Sequence, residues 1–265
     1  MRDVWAVGDA YESYVGRWSQ LVAAEFLDWL EPAPDQRWLD VGCGTGVLTR
    51  QVGARCDPHS VLGVDFSQEF VAWAESHTED PRIRFTVADA AQLPSSVADV
   101  VVSGLVLNFL SDAPTALASM RAAAPTGAVA AYVWDYAGRM DLMRVFWDAA
   151  TALDPAAFNF DEGHRFPMCQ PAALQDLWRN AGLVDVTSTA IDVPTIFADF
   201  DDYWTPFLGG QGPAPGYAAS LTDAHRQALR DCIRAELATD SDGAIALTAR
   251  AWAVRGYSLP QPRRM

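Results

Sequence analysis

Lysine and arginine are scarce in this sequence. The 265 residues include 19 of them against 34 aspartates and glutamates, a formal net charge of −15. No basic cluster stands out beyond Arg263-Arg264. A protein that grips phosphate backbones needs a positive footprint, so nucleic acid is disfavoured as a partner. Nor is there a polybasic stretch to hold an anionic membrane. Cysteine is also sparse: Cys43, Cys56, Cys169 and Cys232 show no CxxC spacing, which argues against a metal centre and against a disulfide framework. They read as small apolar residues in a reducing compartment. No uncharged apolar run reaches the roughly eighteen residues of a membrane span. The opening Met1-Arg2-Asp3-Val4-Trp5 lacks the apolar stretch of a signal peptide. These absences describe a soluble cytoplasmic protein, of a length for which one α/β domain over 1–265 is the ordinary outcome.

What is present is a regular alternation. Half of the residues are hydrophobic, enough for a packed core. Residues 11–30 carry apolar positions at helical spacing, ended by Pro32 and Pro34. Trp38 to Val41 reads as a buried strand, Val47 to Arg55 as a helix, and Ser60 to Asp65 as a second strand. Ser67 suits the N-cap of a helix through Ser76. Arg82 to Val87 and Val97 to Ser103 are the third and fourth strands, the latter with the continuous apolar run of a strand buried on both faces. A helix near 112–123 and a strand near 127–134 follow. Strands alternating with helices in this way predict a parallel, doubly wound sheet with right-handed crossovers. Beyond it the pattern predicts helices at 138–152, 170–180 and 222–237, and strands over 183–193 and 244–254. The Gly/Pro-rich stretch 209–216 reads as a loop or flap.

The chemistry concentrates at the strand ends. Gly42-x-Gly44-x-Gly46 follows a strand and opens a helix, so a ligand can approach the bare backbone and meet free N–H groups. A glycine-rich turn alone is weak evidence. Asp65 ends the next strand, where a carboxylate can accept bonds from both ribose hydroxyls, and Asp89 ends the third. Each aspartate singly could be a helix cap; together with the glycine turn they form a row of polar points along one sheet edge. Val47 stands where a dinucleotide fingerprint wants its third glycine, and no Gly-Lys-Ser/Thr follows as a P-loop would require. Asp40, two residues ahead of the first glycine, is aimed at the region of a bound amino-acid moiety.

Here the chain resembles a family, the class I S-adenosylmethionine-dependent methyltransferases. Leu39-Asp40-Val41-Gly42-Cys43-Gly44-Thr45-Gly46 looks like their first motif, and Gly63-Val64-Asp65-Phe66-Ser67 like their second. Val87-Ala88-Asp89-Ala90-Ala91-Gln92-Leu93-Pro94 looks like the third, and Asp99 to Ser103 with Leu105 to Leu110 is similar to the fourth strand and its loop. The matches cover about 36–135, in order and at the family's spacing. Within the family the chain is most similar to the ubiquinone/menaquinone-biosynthesis (type 11) branch, whose first helix Tyr11 to Trp18 also resembles. The resemblance implies a Rossmann-like, seven-stranded, mostly parallel sheet with an antiparallel last strand. Core strands would lie in 36–135 and 183–254, with a helical cap from 11–30 and from an insertion at about 195–240.

It also implies roles. Gly42, Cys43 and Gly44 would lie beside the methionyl part of S-adenosylmethionine and Asp40 near its ammonium. Asp65 would bind the ribose, Phe66 would cover the adenine, Asp89 would bond its exocyclic amine with Ala90 adjacent, and Ser103 or Leu105 would lie beside the sulfonium. Tyr14 and Arg17 would reach the cofactor carboxylate; otherwise they are core and surface residues. Many members of the family carry a histidine in the loop after the fourth strand, where this chain has Asn108. An amide takes no proton at neutral pH, which argues against a general base from this loop, though Asn108 can orient an acceptor. His164 and Tyr203 are the other catalytic candidates, although a lone loop histidine is more often a solvated residue and an aromatic more often core. A capped, aromatic-lined pocket and an acidic surface favour a small, partly apolar methyl acceptor. The same aromatic cap suits a homodimer contact equally well. Two alternatives stay open at this level: a protein that binds the cofactor without transferring methyl, and a nicotinamide-dependent oxidoreductase.

Overall fold

The structure, a computed structural model, describes residues 16–209 and 212–259. Its helices are α1 (Arg17–Leu30), α2 (Val47–Arg55), α3 (Gln68–Ser76), α4 (Ala113–Ala123), α5 (Asp141–Leu153), α6 (Glu162–Arg165), α7 (Pro171–Asn180), α8 (Phe200–Trp204), α9 (Pro213–Ser220) and α10 (Asp223–Glu236). Its strands are β1 (Arg37–Val41), β2 (Ser60–Asp65), β3 (Ile83–Val87), β4 (Val100–Gly104), β5 (Ala128–Trp134), β6 (Val184–Phe197) and β7 (Ile245–Tyr257). They form one seven-stranded sheet in the order β3-β2-β1-β4-β5-β7-β6.

Burial follows position in the sheet. Central β4 and β5 are buried almost throughout, as their unbroken apolar runs require, whereas the edge strand β3 alternates buried and exposed residues. The pairs β3/β2, β2/β1, β1/β4 and β4/β5 are parallel. Strand β7 runs the other way: Ser258 N–H donates to the Gly127 carbonyl, while eight residues back the Arg250 carbonyl accepts from Asp135 N–H, eight residues forward. The mixed sheet, mostly parallel with antiparallel last strands, is the one the sequence predicts.

Successive strands step outward from β1 on one side and from β4 on the other. The crevice at the carboxyl ends of β1 and β4 is therefore a topological switch point, the place where open α/β sheets bind ligands. Local signals set the flanking helices. Asp112 caps α4 by accepting from Thr115 N–H, Ser67 caps α3 through Phe70 N–H, and Gly182 ends the α7 region at φ 79°. Arg255 donates to the Trp29 and Leu30 carbonyls, satisfying groups that the end of α1 leaves open.

The described chain groups into two compact units. One comprises 19–133, 170–191 and 252–259, with the parallel core; the other comprises 16–18, 134–169 and 192–251. Three sequence expectations change. The fourth strand begins at Val100, because the N–H groups of Val97 and Ala98 donate to the Ala123 carbonyl rather than to a ladder. The predicted loop at 209–216 contains the start of α9, with Pro213 at the position where a missing N–H does no harm. His164 lies on the short α6 rather than in a loop. Residues 11–15 of the predicted first helix, and Tyr14 with them, fall outside the described residues.

No helix among the described residues is long and apolar enough to cross a membrane. Among them no group of three or more His, Cys, Asp or Glu side chains could hold a metal ion.

Candidate active site

The sheet unit carries the glycine turn. Gly42, Gly44 and Gly46 all have positive φ, at 73°, 51° and 81°. They meet different constraints. A Cβ on Gly42 would come within 2.6 Å of the Val106 side chain, whereas one on Gly44 would meet no atom within 4 Å. Gly44 therefore borders open space, the form a cradle for a ligand takes. The Gly42 and Cys43 N–H groups donate to the Val64 carbonyl, tying the turn to the end of β2.

Asp65 reinforces this link. Its Oδ2 accepts from Gly44 N–H and its Oδ1 from Ser67 N–H, both at 2.9 Å. Each carboxylate oxygen keeps acceptor capacity for a ribose hydroxyl. Next to it Phe66 is 82% exposed, an unusual state for phenylalanine and the one that leaves a ring face for a planar base. Asp89 is exposed at the end of β3 and spends Oδ1 on Ala91 N–H, with Ala90 opening the turn beyond. Arg50 of α2 reaches back to donate to the Thr45 carbonyl at 2.7 Å.

Asp40 is 1% exposed. Its Oδ2 accepts from the Thr49 hydroxyl at 2.6 Å, and its Oδ1 has no partner among the described residues. Burial raises its pKa to about 7, the Thr49 bond opposes this, and the Asp65 charge adds to it. An orphaned buried carboxyl oxygen beside an open glycine cradle fits a cationic ammonium. Burial likewise pushes the Cys43 thiol far above its ordinary range, so it stays a neutral lining group.

Beyond β4 the chain turns sharply. Leu105 adopts φ 61°, a strained conformation for a residue with a branched side chain, held by its N–H on the Tyr132 carbonyl at 2.8 Å. Ser103 is fully buried and donates to the Val41 carbonyl at 2.8 Å, joining the ends of β4 and β1. Asn108 follows in a turn of 3₁₀ helix at Leu107–Phe109. It is 8% exposed, and neither its Oδ1 nor its Nδ2 has a partner among the described residues.

The sheet unit thus gathers Asp40, Gly42, Cys43, Gly44, Asp65, Phe66, Asp89, Ala90, Ser103, Leu105 and Asn108 at or beyond the carboxyl ends of β1 to β4. The other expected residues belong to the second unit. Arg17 pairs with Asp202 at 3.0 Å, its guanidinium over the Trp18 and Phe197 rings at 4.4 and 4.8 Å. Its Nε and Nη2 have no partner among the described residues. Tyr203 is fully buried and its hydroxyl donates to the Leu142 carbonyl at 2.8 Å. Burial drives that phenol well above its ordinary range, which makes it a core group that keeps its proton. His164 is exposed on α6, its ring 4.2 Å from that of Phe158. A hollow of about 300 Å³ lies against Phe200, Arg234 and Ile245 of the same unit, and no expected site residue lines it.

Sequence reasoning passed over Glu162, two residues from His164. It is 1% exposed, accepts from Trp147 Nε1, and has Oε1 unpartnered among the described residues. Nothing in the local sequence separates this glutamate from a solvated one.

A glycine turn at the switch point, with carboxylates closing the next two strands, defines a nucleoside-cofactor enzyme of the Rossmann-like class. Residues 39–131 match the family model described as a methyltransferase domain. Trans-aconitate 2-methyltransferase of Methylobacterium radiotolerans is 33% identical over 223 residues, covering 78% of this chain and 82% of the relative. The enzyme of that name from Deinococcus radiodurans is 29% identical over 217 residues, covering 79% and 81%. The solved YcgJ protein of Bacillus subtilis shares the fold with a TM-score of 0.58 at 17% identity, over 91% of this chain and 98% of that one. The chain belongs to the class I S-adenosylmethionine-dependent methyltransferases, and S-adenosylmethionine is its cofactor. The oxidoreductase and non-transferring alternatives fall away. The quinone-biosynthesis branch is not carried by these two relatives, whose names specify trans-aconitate.

Proposed function

We propose that the enzyme transfers methyl to a carboxylate oxygen of a small, partly apolar metabolite. The observation that carries this is the buried Asn108 amide with neither polar atom partnered. S-adenosylmethionine supplies a methyl group already activated on a sulfonium sulfur, which leaves the protein positioning and the exclusion of water. Phenols, alkylammonium ions and carbon acids must lose a proton to react, and an amide cannot take it. A carboxylate is already ionised at neutral pH and needs only to be oriented, which the Nδ2 donor of Asn108 can do. The names of the two relatives support an acidic acceptor.

For the cofactor we carry forward the contacts expected at Asp40, Gly42, Cys43, Gly44, Asp65, Phe66, Asp89, Ala90 and Leu105, with Tyr14 and Arg17 at its carboxylate. Ser103 enters as the group that holds the β4 end to Val41. Asn108 is the orienting group, His164 remains an exposed candidate, and Tyr203 enters as a core residue.

The test is S-adenosylhomocysteine formation, at saturating cofactor, with trans-aconitate, benzoate, catechol and aniline. Carboxylates should turn over with kcat level between about pH 6 and pH 8, and Asn108→Ala should lower kcat/KM by ~10- to 100-fold. Preference for catechol, with kcat climbing tenfold per pH unit, would refute the carboxylate reading and point to a base elsewhere, and preference for aniline would refute it in favour of a neutral nitrogen acceptor.

A further inference from the structure

The second unit holds a hollow that nothing described so far uses. It measures about 300 Å³, at the lower end of the roughly 300–1,000 Å³ of small-molecule pockets. Its lining is apolar where Phe200 opens α8, where Leu237 follows the end of α10, and at the fully buried Ile245 that starts β7. Three charged residues also line it: Asp199, Asp201 and Arg234.

These charges are not equivalent. Asp201 Oδ1 accepts from Arg230 Nη2 at 2.8 Å, while Arg234 approaches the same oxygen only to 3.7 Å, outside hydrogen-bond range. Arg230 therefore matches Asp201. The Arg234 guanidinium carbon sits 4.3 Å from the centre of the Phe200 ring, with that of Arg230 at 5.2 Å. Contact with the ring fixes the guanidinium without spending its donors, and Arg234 makes no side-chain hydrogen bond among the described residues. Asp199 is the complementary case. Its Oδ1 caps α8 by accepting from Asp202 N–H at 2.8 Å, yet the exposed carboxylate is paired with no cation among the described residues. Asp240, the acid next to Thr239 of the lining, is spent on its own turn, where Oδ1 accepts from the Asp242 and Ala244 N–H groups.

The hollow therefore offers one unmatched cation and one unmatched carboxylate beside an apolar lining, and the two are not paired with each other. A ligand of one sign would be repelled by the other charge, and a neutral apolar ligand would leave both unmatched. A zwitterion with an apolar side chain meets all three features. Its carboxylate suits the planar donor fork of Arg234, its ammonium suits Asp199, and its side chain suits Phe200 and Leu237. We propose that this hollow is a binding site for a free apolar α-amino acid, held as the zwitterion between Arg234 and Asp199. The site lies wholly within one unit, and it stands whether or not the enzyme methylates carboxylates.

The test titrates the full chain with L-leucine and L-phenylalanine by calorimetry at about pH 7, where both are zwitterions. S-adenosylmethionine is kept saturating, so that its own site takes no amino acid. The controls are 4-methylpentanoate and isopentylamine, which keep the leucine side chain and only one of its charges. At least one amino acid should bind with Kd near ~1 mM, as exposed charges allow, and each control at least ~5-fold more weakly. Arg234→Gln and Asp199→Asn should each weaken the amino acid by ~5-fold. Both positions are exposed and asparagine keeps the helix cap, so both variants should melt as wild type does. If one variant does not fold, the other decides.

The site is refuted if neither amino acid binds at up to about 20 mM. It is also refuted if either control binds as tightly as the amino acid, or if a folded Arg234→Gln or Asp199→Asn variant binds the amino acid as wild type does. Each of these results leaves the proposed carboxylate methylation untouched, since that is read from S-adenosylhomocysteine formation.

Discussion

Asp40 commits one oxygen to Thr49 and, among the described residues, the other to nothing. Because burial raises its pKa to about 7, the carboxyl is largely protonated at mildly acidic pH in the free protein. In the proposed contact the cofactor ammonium beside Asp40 favours the charged form, so binding is expected to expel the proton. Calorimetry of S-adenosylmethionine binding at about pH 6, in two buffers of different ionisation heat, should therefore record close to one proton released. Affinity should strengthen by up to about tenfold per pH unit until about pH 7 and then level off. Asp40→Asn should bind more weakly and release none. Proton release persisting in that variant would place the titrating group elsewhere.

At the scale of elements, the turn between β1 and α2 separates two reasons for a glycine. Gly42 is demanded by the protein itself, since a methyl group there would overlap Val106 at 2.6 Å in a backbone already at φ 73°. Gly44 meets no such clash: its φ is 51°, and the space where a Cβ would project is open, as the proposed cofactor contact requires. Gly44→Ala should therefore cost only about 1–2 kcal/mol of stability, the left-handed backbone penalty, while weakening S-adenosylmethionine binding by well over tenfold. Gly42→Ala should lose several times as much stability, because overpacking adds to the same penalty. Thermal melts with and without cofactor distinguish the two. A Gly44→Ala protein that binds normally would show that the open space is not the cradle.

For the molecule as a whole, the perturbed acids set a pH of greatest stability. Asp40 and Glu162 have raised folded-state values, about 7 and about 8, so the folded protein binds more protons than the unfolded chain between their ordinary values and these. Their contribution is best at low pH and declines as pH rises through that window. Asp80 and Asp99 are lowered by hydrogen bonds from Arg82 and Arg37, Asp112 by one from Thr115, and Asp192 by one from Arg250. These contribute above the ordinary aspartate range and are lost as pH falls through their depressed values. The −15 charge adds self-repulsion as pH rises. Melting temperature should therefore peak at about pH 4.5–6 and fall toward pH 8, with the fall reduced in Asp40→Asn and Glu162→Gln. A melting temperature still climbing at pH 8 would contradict this assignment.

Much of this was local, and so legible in the residues alone. The bounds of α2 and β2 follow directly from glycines and apolar runs, and the cap at Ser67 from a single side chain next to its helix. The residues of the carboxyl edge were legible for the same reason: a parallel sheet places every strand's carboxyl end on one edge, so the position of Asp40, Asp65 and Asp89 there needed only their strands to be recognised. Tertiary structure decided what depends on partners distant in sequence. Val97 and Ala98 have strand-like composition but give their N–H groups to Ala123, and Gly212 to Gly216 look like a flap although Ala214 and Ala218 are fully buried, which makes a helix of them. Tyr203 packs into the core with its hydroxyl on the Leu142 carbonyl, far along the chain, and Glu162 became a neutral acid because the packed unit buries it away from water. The two units interleave along the chain, so no stretch of composition marks their boundary. Sequence by itself determined the periodic sheet and the row of polar residues along its carboxyl edge, since those rest on neighbours within a few residues; burial, and with it the proton content of Asp40 and Glu162, is a property of the packed whole.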